Sequence, residues 1–315
     1  MNKKVNDIIT RIEGVLVGKK DKVELAVITL LAGGHLLVED VPGVGKTTLA
    51  NALAKSIDSD FGRIQFTPDT LPSDITGVSV YNMKTGMFEY SKGAIMHNII
   101  LADEINRTAP KTQASLLEAM EEGQVTVDHV IYLLDKPFMV IATQNPIDFL
   151  GTYNLPEAQL DRFMMRISLG YPSDSEEKDM VMRVLSGEKE AAFNSDCVVS
   201  KEDILRMQGE VKKVGIHGDL INYMISFANE TRKNSNISLG LSPRATLAWV
   251  RASQAAAYVQ GRNYVLPEDV LKVMFPVVAH RLVLSVEARI ARLSAETVVT
   301  SIRRTIKVPV LREER

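Results

Sequence analysis

The sequence predicts an α/β core built on a mainly parallel sheet, followed by an all-helical C-terminal domain. Short apolar runs separated by helical patterns are typical of strands buried in such a sheet, and they cover residues 35–38, 63–66, 99–102 and 138–142. Two pairs of strand-like runs flank short polar turns and predict inserted β-hairpins at 78–81 with 87–90 and at 124–127 with 131–134. After Pro172 the pattern is helical only.

Apolar spacing and capping signals predict the helices in order. The first is an amphipathic helix marked by Val5, Ile8, Ile9, Ile12 and Leu16, and a second is expected near residues 21–32. A third follows the first strand through Leu49, Ala50, Leu53 and Ala54. Ser173-Asp174-Ser175-Glu176 is a capping box, and later helices are expected to start near Ser200, Gly218, Ser242-Pro243 and Pro267. We therefore expect two domains, residues 1–172 and 173–315.

Composition supports a globular protein. The chain has 315 residues, 45% hydrophobic and 24% charged, which excludes disordered, collagen-like and disulfide-scaffold classes. The net charge of −2 gives no global basic field for nucleic acid or anionic lipid. The longest uncharged stretch, 25–38, is shorter than the roughly 20 apolar residues of a spanning helix, so we expect no membrane segment. The single cysteine, Cys197, favours a reducing compartment, by default the cytoplasm.

A phosphate-binding loop is predicted directly after the first strand. Residues 40–47, DVPGVGKT, lead from a strand into a helix, which is the context that such a loop requires. Gly43 and Gly45 allow N–H groups to face phosphates, Lys46 supplies a positive charge, and the Thr47 hydroxyl suits Mg²⁺. The predicted binding residues are Pro42, Gly43, Val44, Gly45, Lys46, Thr47 and Thr48. The alternative is a glycine-rich turn with a surface lysine. Asp40 stands where the general pattern has glycine, so its carboxylate has to point away from phosphates.

Two acids follow the strand at 99–102. At the ligand-facing end of a parallel sheet, Asp103 would hold Mg²⁺ and Glu104 would orient and deprotonate the attacking water. The alternative is a strand that stops at two solvated acids. Asn145 follows the next strand and could position water or a phosphate oxygen, although Asn-Pro is also a common turn starter. Arg162 and Arg244, taken singly, are more often surface ion pairs.

Together these motifs resemble AAA+ ATPases, and four segments resemble the MoxR family specifically: LLVEDVPGVGKTTLA, IILADEINRTAPKTQASLLEAMEEGQVTV, VIATQNP and GTYNLPEAQLDRF. The resemblance implies that Lys46 and Thr47 belong to Walker A, Asp103 and Glu104 to Walker B, and Asn145 to sensor 1. It implies that Arg162 is an arginine finger, that Arg244 is sensor 2, and that Val17-Gly18 packs on adenine. The hairpins would be the two β-inserts of this group, and the C-terminal helices its lid. The sequence departs from the family at Asp40, which replaces the general Walker A glycine. It also departs at Ala94, where relatives often have proline, and at Asn154, where the family has proline.

The resemblance also implies a function, which is hydrolysis of ATP with Mg²⁺ by a ring, usually hexameric, that remodels or activates protein partners. The implied partners are von Willebrand factor A domain proteins or metalloenzyme complexes. One alternative is a nucleic-acid-stimulated motor, which the hairpin tips disfavour because one offers Asp128 and His129 and the other only Lys84. Another is a non-hydrolysing nucleotide-dependent scaffold, which has no need of Glu104. The sequence identifies neither the client protein nor the ring size.

Overall fold

The computed structural model describes residues 2–145, 153–187 and 197–309. The strands of its N-terminal part are β1 (Leu36–Glu39), β2 (Phe61–Gln65), β3 (Gly77–Asn82), β4 (Met87–Lys92), β5 (Ile99–Asp103), β6 (Gln124–Val127), β7 (Val130–Leu133), β8 (Met139–Gln144) and β9 (Met165–Ile167). Five of them form a parallel sheet in the order β2-β5-β8-β1-β9. All four predicted core strands are confirmed. The edge strand β9 was missed because it has three residues and Arg166 at its centre, so it leaves no apolar run.

The helices of this part are α1 (Lys3–Val15), α2 (Lys20–Leu31), α3 (Lys46–Ser56), α4 (Pro72–Thr76), α5 (Pro110–Glu122) and α6 (Glu157–Leu160). The Asn2 side chain caps α1 by accepting from the Lys4 N–H, and the predicted apolar positions of α1 are buried. Helix α5 starts with proline and stops at Gly123, whose φ of 65° ends the helix in the left-handed region.

Both predicted hairpins are present. β3 pairs antiparallel with β4, and β6 pairs antiparallel with β7. The side chains of the first hairpin are largely exposed, and six of the exposed ones are apolar or aromatic. Its Tyr81 and Phe88 rings meet edge to face with centroids 5.3 Å apart. This hairpin therefore places an apolar surface in solvent.

The C-terminal part is mainly helical, with α7 (Asp174–Leu185), α8 (Lys201–Val211), α9 (Gly218–Lys233), α10 (Pro243–Val259), α11 (Pro267–Val278), α12 (Val286–Ile290) and α13 (Ala295–Thr305). Ser173 and Glu176 form the predicted capping box. The expectation of helices only is wrong at one point, since β10 (Ile237–Leu239) pairs antiparallel with β11 (Val283–Leu284). Strands this short and this far apart in sequence leave no alternating pattern to read.

The N-terminal helices share a hydrophobic core with the C-terminal helices. One buried cluster contains Ile28 of α2, Leu53 of α3 and Trp249 of α10. The Trp249 Nε1–H donates to the Val270 carbonyl of α11 at 2.9 Å. The division at residues 172 and 173 stays a prediction, since side chains on both sides of it belong to this cluster. Within the described ranges, no helix has both the length and the apolar character needed to cross a membrane.

Candidate active site

The loop after β1 has the backbone that phosphate binding requires. Gly43 and Gly45 have φ values of 86° and 101°, which other residues adopt only with strain. Gly45 precedes α3 directly, so the free N–H groups of that helix face the loop. The Lys46 side chain is buried and its Nζ donates to the Asp40 carbonyl at 2.8 Å. The lysine is thus folded over the loop that it serves.

Asp40 does not need the conformational freedom of glycine here. The φ of Asp40 is not positive, and its Oδ1 accepts from the Val41 N–H at 3.0 Å. Its Oδ2 accepts from the Gly170 N–H at 2.7 Å and from the Ser168 hydroxyl at 3.0 Å. The carboxylate therefore ties the loop to the segment after β9, and Asp40 does not line the pocket described below.

The two acids at the end of β5, its last residue Asp103 and the following Glu104, are linked through Thr143, a fully buried residue of β8. The Thr143 hydroxyl donates to Asp103 Oδ1 at 2.7 Å and accepts from the Glu104 N–H at 2.8 Å. Arg63 of β2 donates to Asp103 Oδ2, also at 2.7 Å. The Asp103 carboxylate is therefore fixed from both neighbouring strands.

Glu104 has a left-handed backbone, with φ of 58° and ψ of 49°. This conformation is uncommon for a residue with a side chain, and such residues cluster at functional sites. Its Oε2 accepts from Gln65 Nε2 at 3.0 Å and lies 3.2 Å from Nε of Arg107. The backbone of Glu104 is thus held by Thr143 and its carboxylate by Gln65 and Arg107.

The phosphate loop, the two acids and the Arg63 and Gln65 side chains surround one pocket of about 390 Å³. Its lining consists of Pro42, Gly43, Gly45, Lys46, Thr47, Thr48, Arg63, Gln65, Asp103 and Glu104. The loop and the acid pair are therefore brought together, as the sequence predicted. Sequence analysis missed Arg63, Gln65 and Thr143. The only available signal was the alternation of Arg63 and Gln65 on β2, which turns both side chains to the same face.

Asn145 and Val17-Gly18 lie near this pocket without lining it. Asn145 is buried and directly follows β8, which lies between β5 and β1 in the sheet. The residue before Val17 touches the loop, because a Cβ placed on Gly45 would lie 2.6 Å from Leu16 Cδ1. Gly18 has a φ of 73° and packs under Glu176 at the start of α7. Both predicted segments are therefore neighbours of the phosphate loop.

Arg162 and Arg244 lie together elsewhere, on the carboxylate of Glu121. Arg162 Nε lies 3.0 Å from Glu121 Oε2, and Arg244 Nη2 donates to Glu121 Oε1. The hydrogen bond from Arg244 and the charges of both guanidinium groups lower the pKa of the Glu121 carboxyl. The three side chains line a second pocket of about 440 Å³ that shares no lining residue with the first.

This second pocket lies at the amino edge of the sheet, which is the end at which its parallel strands begin. It includes Gly33, Gly34 and His35, which precede β1, whereas the phosphate loop follows β1. The His35 ring accepts from the Val140 N–H at 3.0 Å through Nδ1, and its Nε2 lies 3.1 Å from the Met120 carbonyl at the end of α5. β1 has four residues and spans about 13 Å. The two arginines and the phosphate loop are therefore on opposite edges of the sheet.

Asp161 fixes the segment that carries Arg162 to the C-terminal helices. Its Oδ1 accepts from Arg281 Nε at 2.6 Å, and its Oδ2 accepts from the Ser242 hydroxyl at 3.0 Å. Ser242 is the N-cap of α10, two residues before Arg244. One carboxylate thus links the neighbours of both arginines, and sequence analysis missed this residue.

Comparisons with known proteins agree with this geometry. Residues 35–165 match the ATPase family associated with various cellular activities (AAA), and residues 229–302 match the AAA lid domain. Protein YeaC of Bacillus subtilis, which is uncharacterized, is 50% identical over 96% of this chain and 94% of its own length. Chaperone MoxR1 of Mycobacterium tuberculosis is 38% identical over 96% of this chain and 81% of its own length. The chain belongs to the MoxR family of AAA+ ATPases.

A solved structure supports the same assignment. The crystal structure of a protein assigned as an ATPase, from Cytophaga hutchinsonii, superposes with a TM-score of 0.90 at 41% identity. The match covers 98% of this chain and 95% of that one. The predicted fold class and ATPase activity are thereby confirmed, and a MoxR-family AAA+ ATPase binds nucleotide.

Proposed function

We propose that this MoxR-family ATPase works as a ring in which each active site is shared by two neighbouring copies. The observation that carries the proposal is the placement of Arg162 and Arg244 on the edge of the sheet opposite the phosphate loop. Transfer of a terminal phosphate develops negative charge that an arginine stabilises. Since one chain does not bring these arginines to its own loop, a neighbour has to supply them. A closed ring, by family resemblance a hexamer, gives every site a neighbour.

The residues of the loop pocket suit ATP with Mg²⁺. The Asp103 carboxylate and the Thr47 hydroxyl line the same pocket as Lys46 and are oxygen donors of the kind that Mg²⁺ prefers. These two residues would hold the ion, which when bound neutralises charge on the phosphates. Lys46 and the N–H groups of the loop bind the phosphates, and Glu104 takes the proton of the attacking water. Asn145 orients that water or a phosphate oxygen, and Val17-Gly18 contacts adenine.

Mixing two inactive variants tests the shared site directly. Lys46→Ala removes the phosphate-binding side of a site, and Arg162→Ala removes the side given to the neighbour. In a mixed assembly, an Arg162→Ala subunit next to a Lys46→Ala subunit forms one complete site. We expect each variant alone to be inactive and the mixture to recover turnover, with assembly followed by light scattering. The same experiment with Arg244→Ala tests the second arginine.

The control is a mixture of Lys46→Ala with Glu104→Gln. Both changes lie on the same side of the site, so no pairing of these subunits gives a complete site and turnover stays absent. If the Lys46→Ala and Arg162→Ala mixture forms mixed assemblies but stays as inactive as this control, the shared site is wrong. Full turnover by dilute monomeric wild type would contradict it as well.

We assign a protein, rather than a nucleic acid, as the partner that is remodelled. Six exposed side chains of the β3–β4 hairpin are apolar or aromatic, with Met83 91% and Phe88 74% exposed, and its exposed cations are Lys84 and Lys92. Binding to a nucleic-acid strand requires cations near its phosphates, whereas apolar side chains suit a protein surface. By family resemblance the partner is a von Willebrand factor A domain protein or a metalloenzyme complex. The free thiol of Cys197, which is exposed, suits the reducing cytoplasm.

The partner assignment is tested by stimulation of ATP turnover. We expect a von Willebrand factor A domain protein from the same genome to raise turnover, and Phe88→Ser to abolish the rise without changing basal turnover. Single-stranded DNA and RNA should have no effect. Stimulation by nucleic acid, lost at high salt, would favour the motor instead.

A further inference from the structure

Glu121 occupies the place between Arg162 and Arg244 where an anion would bind. Its Oε2 pairs with Arg162 at 3.0 Å, and its Oε1 accepts from Arg244. Guanidinium groups bind carboxylate and phosphate oxygens with the same N–H donors. A phosphate oxygen that enters between these arginines therefore meets the negative charge of the Glu121 carboxylate and competes with it for the donors Arg162 Nε and Arg244 Nη2.

We propose that Glu121 is a positioning residue that holds Arg162 and Arg244 in the subunit and yields them to the terminal phosphate of a nucleotide bound by a neighbouring copy. This inference rests on the proposed function, because only a shared site brings that phosphate to these arginines. Glu121 then sets how readily Arg162 and Arg244 exchange their contact with its carboxylate for a contact with the phosphate bound by the neighbouring subunit.

The surroundings of the carboxylate suit such an exchange. The Arg162, Glu121 and Arg244 side chains are 28%, 35% and 52% exposed, and partly exposed ion pairs each contribute little stability. The end of α5 that carries Glu121 is fixed by the contact of the His35 ring with Met120. The lining of this pocket holds four arginines, Arg162, Arg244, Arg251 and Arg281, against the carboxylates of Glu121 and Asp161. The excess positive charge favours entry of a phosphate.

The test compares Glu121→Gln with Glu122→Gln in the full chain. Glu122 is the next residue of α5, is exposed, and forms no ion pair among the described residues, so it matches the change in charge alone. Glu121→Gln removes the competing charge, and we expect KM for ATP to fall about three- to tenfold with kcat within about twofold of wild type. The affinity for a non-hydrolysable ATP analogue should rise by the same factor, and Glu122→Gln should leave all three values unchanged.

Two outcomes would overturn the role of Glu121. If Glu121→Gln and Glu122→Gln give the same KM and kcat, the carboxylate does not compete with nucleotide. If Glu121→Gln loses turnover as Arg162→Ala does, the carboxylate supports the reaction rather than restrains the arginines. Neither outcome affects the complementation of Lys46→Ala by Arg162→Ala, whose failure would overturn the shared site itself.

Discussion

Replacing Thr143 by valine tests how far the geometry of the acid pair depends on one buried hydroxyl. Valine keeps the shape of the side chain but removes the bond to Asp103 Oδ1 and the acceptor for the Glu104 N–H. A bond to a charged group contributes about 1.5–3 kcal/mol and a neutral one about 0.5–1.5 kcal/mol. Burial of the new methyl group returns up to about 0.8 kcal/mol. We therefore expect the free energy of unfolding to fall by about 1–4 kcal/mol.

Turnover should fall as well, because Asp103 and Glu104 lose their common partner. Removing a hydrogen-bond partner of a metal-binding group typically costs about 10- to 100-fold in activity, and we expect that loss in kcat at saturating ATP. Thr29→Val is the control, since the buried Thr29 hydroxyl donates only to the Leu25 carbonyl of its own helix, at 2.8 Å. Wild-type kcat in Thr143→Val would refute the reasoning, and so would an equal loss of kcat in Thr29→Val.

Two further predictions concern stability. Burial lowers the pKa of His35 to about 4. Between about pH 6.5 and 4 the unfolded chain therefore binds a proton that the folded chain does not, and the free energy of unfolding decreases by up to about 3 kcal/mol as the pH is lowered through this range. Burial lowers the pKa of His280 as well. In urea titrations, His35→Gln should therefore reduce the difference between the free energies of unfolding at pH 7 and pH 5 without removing it. An unchanged difference would show that His35 does not contribute to the pH dependence. Asp161→Ala leaves the buried Arg281 without its carboxylate and should cost about 3–5 kcal/mol in the same titration, whereas Ser242→Ala should cost about 1 kcal/mol. Equal effects of these two changes would show that the ion pair is not what holds this junction.

The parts of the site that are contiguous in sequence could be predicted from it. The loop from Pro42 to Thr48 and the acids Asp103 and Glu104 each stand in one short segment whose strand context is readable. Thr143 and Gln65 could not be assigned, because they reach the acids only through the order β2-β5-β8. That order depends on long-range strand pairing, such as the register of Gln65 with Asp103, which no local pattern encodes.

The location of the arginines was a second limit of the sequence. Arg162 and Arg244 are predicted singly, but their common contact with Glu121 depends on how the C-terminal helices pack on the amino edge of the sheet. The strands β9, β10 and β11 were missed for a related reason, since each has two or three residues. Short pairings are specified by tertiary packing rather than by local propensity.

The polarity of the parallel sheet explains why hydrolysis should depend on assembly. Parallel strands place every loop that follows a strand on one edge, so the phosphate loop and the acids meet there. Arg162 precedes β9 and therefore lies on the other edge, and Asp161 links its segment to Ser242 at the start of α10. A movement of the C-terminal helices would therefore displace both Arg162 and Arg244. In a ring with shared sites, the state of the helices in one subunit would then set the arrangement of the arginines at the nucleotide of the next.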